Sequence, residues 1–260
     1  MVFRKIFSGL GGGAAAKLPS GKRGARAYAI GDIHGCLHLL DDLIARIEAD
    51  VAARPIGEAY LIFVGDFIDR GPDSAGVIER LRSYRHPKLK PIFLAGNHEE
   101  YMLRILSGER GKLDSWLTYG GRECVQSYGL DPDKLMVMPE GEALMLLRRQ
   151  IPEGHRRFLK GLADTFRFGD YLFVHAGIRP GVALEEQSRA DLRWIREPFL
   201  DDVGDHGFVV VHGHTIVDEV EERTNRIGID TGAYRSGVLT ALVVDGTSRR
   251  YLTTARAEAA

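Results

Sequence analysis

Six side chains of metal-ligand type follow short apolar runs in this sequence. They offer only carboxylate or amide oxygen and imidazole nitrogen, a mixture that suits first-row metals such as manganese, iron, zinc or cobalt. Calcium sites, by contrast, are built from oxygen ligands alone. The side chains are Asp32, His34, Asp66, Asn97, His175 and His214.

A set of this size suffices for two metal ions if one carboxylate bridges them. Two ions about 3.5–4 Å apart form the usual clamp for transfer of a phosphoryl group to water. They hold the substrate oxygens and lower the pKa of a shared water toward neutrality. We therefore expect a dinuclear centre that hydrolyses a phosphoester.

A dianionic phosphate also needs cationic side chains, and arginine gives planar, bidentate contacts. Arg70 and Arg196 are the candidates, and Arg193 is a rival to Arg196. The leaving alkoxide needs a proton, which His98 is placed to supply. Pairing with Asp69 would hold His98 protonated and oriented.

The apolar runs themselves predict the elements that position these residues. Runs of this kind, bounded by glycine, indicate buried strands, and apolar residues at helical spacing between them indicate helices. Alternation of the two predicts an α/β layered core with ligands at the carboxyl ends of the strands. Residues 238–253, with a turn at Asp245-Gly246, predict a closing hairpin. The predicted strands are 27–30, 60–64, 91–95, 171–174, 208–211 and 227–229.

Composition sets broad bounds on the protein. The chain has 260 residues, 44% hydrophobic and 27% charged, which is typical of a globular protein. A formal net charge of -1 gives no support for a nucleic-acid partner. Cys36 and Cys124 are too few for a disulfide framework and favour a reducing, cytoplasmic compartment. No apolar run reaches the roughly 18 residues of a membrane helix.

Two segments differ from this pattern. Residues 1–26 are basic and lack acids, which predicts a disordered tail, with a weak amphipathic anchor as the alternative. Residues 108–169 carry no ligand motif, and their mostly helical pattern breaks at Gly120-Gly121, Gly129 and Pro139. We expect a catalytic domain over 27–256, with 108–169 as a helical insertion or cap beside the site.

Three motifs resemble the signatures of the calcineurin-like metallophosphoesterases: GDIHG at 31–35, GDFIDRG at 65–71 and GNHE at 96–99. More narrowly, the chain is similar to the serine/threonine phosphoprotein phosphatases of compact bacterial and phage type. The resemblance covers about residues 27–245 and is loose over 108–169. It extends to HAG at 175–177, WIRE at 194–197, GHT at 213–215 and IDTGA at 229–233.

The resemblance implies a fold, a metal centre and a set of roles. The fold would be an α/β (α+β) four-layer sandwich of two packed mixed β-sheets flanked by helices. Two divalent ions would be bound, with manganese expected and iron, zinc, cobalt or nickel as alternatives. Asp32 and His34 would bind the first ion, Asp66 would bridge, Asn97, His175 and His214 would bind the second, Arg70 and Arg196 would hold the phosphate, and His98 with Asp69 would form the acid pair.

Three functions stay open at this point. The favoured one is hydrolysis of phosphomonoesters, above all in phosphoserine and phosphothreonine proteins. The second is hydrolysis of dinucleotide polyphosphates, as in symmetrical diadenosine tetraphosphatases. These typically have a neutral residue where this chain has Asp69, which favours the first function. A non-catalytic binding scaffold is the third, and the complete set of expected ligands argues against it.

Other residues near the motifs have simpler interpretations. His212 is open between a ligand, a residue that orients a ligand, and a structural residue. Asp230 is expected to close a turn near the site, with a role as a metal ligand as the alternative. Cys36 is expected to be a small buried residue and not a nucleophile. Glu99 and Glu100 are interpreted as charged residues at a helix start, without a catalytic role.

Overall fold

A computed structural model describes residues 18–254 of the protein. Residues 1–17 of the predicted tail lie outside the described residues. Residues 18–26 are described, and they belong to the fold. The first strand begins at Ala25, Arg26 is buried, and the backbone N–H of Ser20 donates to the Asp170 carboxylate at 3.0 Å. The expected boundary at residue 26 is thus too late. Among the described residues no helix is long and apolar enough to cross a membrane.

The first of two mixed β-sheets carries the first three motifs. Three of its strands are parallel to one another, and the closing hairpin joins them in antiparallel fashion, as predicted. In spatial order the sheet consists of β10 (Ser248–Thr253), β9 (Thr240–Asp245), β1 (Ala25–Ile30), β2 (Glu58–Phe63) and β3 (Leu89–Phe93).

The second sheet carries the two later histidine motifs. Its inner strands are parallel and its two edge strands antiparallel to their neighbours. In spatial order it consists of β4 (Thr165–Phe168), β5 (Tyr171–Val174), β6 (Val209–His212), β8 (Arg226–Gly228) and β7 (Glu221–Glu222). The edge strands β4 and β7 were not predicted.

Side chains of β1 alternate between two cores, as the period of a strand requires. Ala27 and Ala29 face the second sheet and share a buried cluster with Phe173. Tyr28 and Ile30 point the other way, into the core beneath the helices. The first sheet is therefore buried on both faces.

Helices cover the outer faces of both sheets. The first sheet is covered by α1 (Leu37–Ala53), α2 (Ser74–Ser83) and α3 (Asn97–Ser107). The second is covered around α9 (Arg189–Trp194), whose Leu192 packs with the strand residue Leu172. The predicted four-layer α/β sandwich is confirmed.

The segment 108–169 is mainly helical, as predicted, but it is neither peripheral nor helical to its end. Residues 165–168 form β4, an edge strand of the second sheet. Trp116, Leu144 and Leu147 belong to the same buried core as α1, because the short helices here are amphipathic. We call residues 113–160 the helical wall. It contains α4 (Leu113–Trp116), a π-type turn (Leu117–Gly121), α5 (Arg122–Ser127), α6 (Pro132–Val137), α7 (Glu140–Gln150) and α8 (Glu153–Lys160), and α10 (Ala233–Ser236) follows later in the chain.

Candidate active site

The predicted ligand residues converge at the carboxyl ends of the strands of both sheets. On the first sheet, Asp32, Asp66 and Asn97 follow β1, β2 and β3. On the second sheet, His175 and His214 follow β5 and β6. All five side chains are buried. The packing of two sheets thus brings together residues from distant parts of the chain at one end of the sandwich.

Asp66 occupies the centre of this cluster. Its Oδ2 atom lies 3.4 Å from His175 Nε2, 3.6 Å from His34 Nε2 and 3.9 Å from His98 Nε2. Its other oxygen accepts a hydrogen bond from the His98 backbone N–H at 3.0 Å. A Cβ atom at Gly96 would lie 2.1 Å from Asp66 Oδ1, so this close approach requires glycine. The central position fits a bridging carboxylate.

Asp32 and Asn97 complete the cluster on the side of His214. The Oδ1 atom of Asn97 lies 2.9 Å from both His175 Nε2 and His214 Nδ1. Asp32 Oδ2 accepts from the His214 backbone N–H at 3.0 Å. Asp32 Oδ1 and His214 Nε2 are buried without a hydrogen-bond partner among the described residues. Such orphaned polar atoms are costly unless an ion or water satisfies them.

The donor atoms fit a pair of divalent cations. The ligand atoms form two groups, and within each group all of them lie within 4.8 Å of one another. One group consists of His34, Asp66 and His98, and the other of Asp66, His175 and His214. Asp66 belongs to both groups, as a bridging ligand would. The residues therefore match the chemistry of the metal centre expected from the sequence, and His98 is the one member not predicted as a ligand.

The pKa values separate His98 from His34 and His214, two of the three histidines predicted as ligands. Burial lowers the pKa of His34 and of His214 to about 3, so both rings are neutral, the form that binds metal. Burial also acts on His98, but the carboxylates of Asp66 and Asp69 outweigh it and raise its pKa to about 9. His98 is therefore protonated at neutral pH, which suits a proton donor.

Backbone carbonyls fix the orientation of two rings. His34 Nδ1 lies 2.8 Å from the Ile68 carbonyl oxygen, and His175 Nδ1 lies 2.9 Å from that of Val64. Because a carbonyl only accepts, each Nδ1 carries the hydrogen and each Nε2 is left facing the cluster. In His175, the Asp66 carboxylate outweighs burial and raises the pKa.

The predicted acid pair is brought together. His98 Nδ1 and Asp69 Oδ2 are 2.6 Å apart. The same oxygen accepts a hydrogen bond from Trp116 Nε1 at 2.9 Å, and the Asp69 backbone N–H donates to Ser74 Oγ at 2.9 Å. Because Nδ1 is engaged by Asp69, Nε2 is the atom of His98 that can pass a proton to a substrate.

The structure distinguishes between the two candidate arginines of the 193–196 region. Arg193 is held by Asp164, at 2.5 Å from Nη2, and is mostly buried. Arg196 is exposed and lines the cavity above the cluster together with Arg70. Arg70 Nη1 donates to His34 Nε2 at 2.9 Å, and its guanidinium lies 5.1 Å from the centre of the Tyr234 ring.

The cavity above the cluster has a volume of about 480 Å³ and an aromatic lining. Tyr119 is 71% exposed and Trp194 is 38% exposed. Tyr101 lies 6.3 Å from Trp194 between ring centres, and Trp116 closes the inner end of the cavity. Three larger grooves, of about 670, 630 and 580 Å³, contain none of the predicted site residues.

Glu99 is the residue whose part in the site the sequence interpretation missed. It is fully buried, and its carboxylate accepts hydrogen bonds from the backbone N–H groups of Asp66 (2.9 Å), Phe67 (2.7 Å), Ile68 (3.3 Å) and Gly96 (2.9 Å). It is thus no solvated helix-start charge, but the anchor of the loop that presents Asp66. An acid at the third position of a helix is a capping signal that indicates the contact to Gly96 alone.

The other residues singled out near the motifs make contacts within the fold. Asp230 accepts from the Gly232 backbone N–H at 2.9 Å, as expected for a turn. His212 lies outside both groups of ligand atoms and packs edge-on against Phe199, at 5.2 Å between ring centres. Cys36 is buried, as predicted.

The turns that carry these side chains have an unusual backbone. Five non-glycine residues among residues 18–254 have a positive φ, and all five are predicted site residues. Left-handed conformations disfavour a Cβ atom, and they concentrate at functional sites. The residues and their φ angles are His34 (45°), Asp66 (48°), Asp69 (71°), Arg70 (66°) and His214 (63°).

The fold and the site together define a metallophosphoesterase. The model of the calcineurin-like phosphoesterase family matches residues 25–235, so the chain belongs to that family. The resemblance inferred from the three motifs is confirmed.

Relatives in this family have different substrates in their names. A bis(5'-nucleosyl)-tetraphosphatase PrpE of the asymmetrical type, from Anoxybacillus flavithermus, is 30% identical over 82% of this chain and 88% of its own length. Serine/threonine-protein phosphatase 1 from Salmonella typhimurium is 29% identical over 84% of this chain and 92% of its own. The crystal structure of a cold-active protein-tyrosine phosphatase from a Shewanella species covers 87% of this chain and 80% of that one, with a TM-score of 0.55 and 18% identity. The last of these is a likeness of fold.

Proposed function

We propose that the protein is a divalent-metal-dependent hydrolase of phosphoric anhydrides, and that its preferred substrates are dinucleoside polyphosphates. The observation that carries this substrate class is the aromatic lining of the cavity, where Tyr119 and Trp194 expose their rings beside two arginines. Nucleobases stack on such rings, typically with about 1–3 kcal/mol per base. The volume of the cavity also falls within the range of small-molecule sites.

The reaction assigns a role to each group of residues. The six predicted ligand residues would hold two divalent ions, which, when bound, supply Lewis-acid stabilisation and a nucleophile at neutral pH. Arg70 and Arg196 would bind the phosphate oxygens of the substrate. His98 would donate the proton on Nε2 to the leaving oxygen as the P–O bond breaks, while Asp69 holds the ring through Nδ1.

Relatives support this substrate class without excluding another. The tetraphosphatase relative and the phosphatase relative have similar identities, 30% and 29%. The sequence interpretation favoured phosphoproteins because of Asp69. That residue pairs with His98, and a protonated His98 is most valuable for an alkoxide leaving group, which is far more basic than a phosphate.

A phosphomonoesterase that acts on phosphoserine or phosphothreonine proteins is therefore the second candidate. The specific observation in its favour is the 2.6 Å contact between His98 and Asp69. Phosphoserine hydrolysis requires protonation of the seryl oxygen, which such a pair provides. The exposed aromatic rings could then contact a peptide in place of a base.

A side-by-side assay separates the two candidates. The full chain is freed of metal with a chelator, reloaded with manganese, and given diadenosine tetraphosphate, a phosphoserine peptide or a phosphotyrosine peptide. We expect kcat/KM to be highest for diadenosine tetraphosphate, by about tenfold or more. The nucleotide products, two ADP or ATP with AMP, show whether cleavage is symmetrical.

Two outcomes of this assay would contradict the proposal. A higher kcat/KM for the phosphoserine peptide would replace the first candidate with the second. Absence of hydrolysis for all three substrates, with manganese and also with iron, zinc, cobalt or nickel, would refute the phosphoesterase itself. The matched control is the chelated protein without added metal.

A further inference from the structure

The helical wall contacts the active site through two neighbouring residues, Trp116 and Gly120. Trp116 donates a hydrogen bond to the acid pair, and Gly120 accepts one from the backbone of Arg70. We propose that these two are positioning residues with separate tasks, Trp116 for proton delivery and Gly120 for phosphate binding. This inference rests on the roles proposed above for His98 and Arg70, and it holds for either substrate class.

Trp116 acts on the side chain of Asp69. Its Nε1–H donates to Asp69 Oδ2 at 2.9 Å, and His98 Nδ1 contacts the same oxygen at 2.6 Å. Asp69 is completely buried and Trp116 is 3% exposed, so water does not compete for this oxygen. Two donors on one oxygen fix the rotation of the carboxylate and thereby the plane of the His98 ring.

The indole is itself fixed by the wall. A Cβ atom at Gly121 would lie 2.6 Å from the Trp116 ring, so the ring packs directly on the backbone there. Leu113 and Leu117 are buried in the same core. The indole N–H is therefore a rigid donor, and an indole loses little conformational freedom when it makes this bond.

Gly120 acts on the backbone of Arg70. Its carbonyl oxygen accepts from the Arg70 N–H at 2.8 Å. The φ angle of Gly120 is +111°, and a Cβ atom there would lie 2.6 Å from Arg70 Cγ. Arg70 has a positive φ of 66°, a conformation that persists only when its surroundings hold it. The carbonyl of Gly120 supplies such a constraint, and the missing side chain leaves room for the arginine.

The first test removes the indole donor and keeps an aromatic ring. In Trp116→Phe, we expect kcat for a phosphoserine peptide, which has a basic leaving group, to fall about tenfold, the effect of one hydrogen bond to a charged group. For p-nitrophenyl phosphate, whose leaving group needs no proton, kcat should change less than about twofold. The KM values should stay close to those of the wild type. An equal loss for both substrates would overturn the assignment to proton delivery.

A double-mutant cycle asks whether Trp116 acts through Asp69. If it does, Trp116→Phe should have almost no further effect on kcat in the Asp69→Asn background. Losses that multiply would show a general structural role and contradict the proposal. Thermal unfolding of each variant checks that the folded fraction is the same.

A spectroscopic measurement on the metal-free protein is independent of activity. The Nδ1 proton of His98, held at 2.6 Å from Asp69, should give a downfield imidazole N–H resonance that disappears in His98→Asn. Trp116→Phe should shift or broaden this resonance. An unchanged signal would overturn the role of Trp116. Since the signal requires no turnover, this result stands apart from failure of the proposed function.

The test of Gly120 uses a matched glycine as its control. Gly120→Ala should raise KM for p-nitrophenyl phosphate about tenfold with a smaller change in kcat, because it displaces a phosphate-binding arginine. Gly129 also has a positive φ, +78°, but a Cβ atom there would meet Gln150 Nε2 at an ordinary 3.6 Å. Gly129→Ala should also place an alanine at a positive φ, and it should leave KM unchanged. Equal KM values in the two variants would refute the role of Gly120.

Discussion

The active site has two walls of different construction. The strand-end wall consists of turns after β-strands, and its side chains are buried and held by backbone hydrogen bonds, as in the contact of Glu99 with the Asp66 loop. The helical wall contributes Trp116 and Gly120 at the inner end of the cavity, and the exposed Tyr119 at the mouth of the cavity. With the roles proposed above, the strand-end wall carries the metal-binding and acid groups, and the helical wall governs the efficiency of the reaction and the choice of substrate.

Asp66→Asn should have the largest effect, because it removes the carboxylate shared by both groups of ligand atoms. We expect bound metal and turnover to be lost together, a fall in kcat of more than about 10⁴-fold, because the ions supply both the nucleophile and the charge stabilisation. Elemental analysis and turnover are measured on the same sample. A variant that keeps two metal ions per chain would contradict the bridging role.

His98→Asn should separate chemistry from metal binding within the strand-end wall. We expect both ions to be retained and turnover of a phosphoserine peptide to fall by about 10²–10⁴-fold, as for loss of a general acid. Near-normal turnover with that peptide would rule out the assignment of His98 as the acid.

Glu99→Gln should have an intermediate effect. Glutamine keeps the size but offers one acceptor oxygen where four backbone N–H groups now donate. We expect metal affinity to weaken by about 10–100-fold, measured by competition with a chelating dye. Glu100→Gln, at the partly buried neighbour, is the control. Equal metal affinities for the two variants would show that Glu99 does not support the centre.

Tyr119→Ala should have the smallest effect and test the helical wall alone. Loss of one stacking ring should raise KM for diadenosine tetraphosphate about tenfold, and much more than KM for a phosphoserine peptide. Metal content should match that of the wild type. A uniform change for both substrates would argue against a nucleobase contact at this ring.

The same comparison explains what the sequence could predict. The convergence of the predicted ligand residues at the strand ends was predictable because each motif joins a short apolar run to polar residues within a few positions. The contact between Trp116 and Asp69 was not, because the two residues are far apart in the chain and nothing in the pattern around Trp116 marks a donor. The buried role of Glu99 depends on a loop 30 or so residues away, and the edge strand β7 has only two residues. Contacts that depend on tertiary packing, and very short elements, leave little local signal.

The five left-handed residues of the site have a thermodynamic consequence. Each such conformation costs on the order of 1–3 kcal/mol, and the surrounding hydrogen bonds and any bound ions must offset it. At these five positions, the residues that the predicted activity needs are therefore less favourable for stability than others would be. Glycine at the strained positions would relax the backbone and raise the free energy of unfolding while it removed the side chains of the predicted site. Under selection for thermal tolerance alone, the residues at this end of the sandwich would then be replaced first, and the two sheets would be retained.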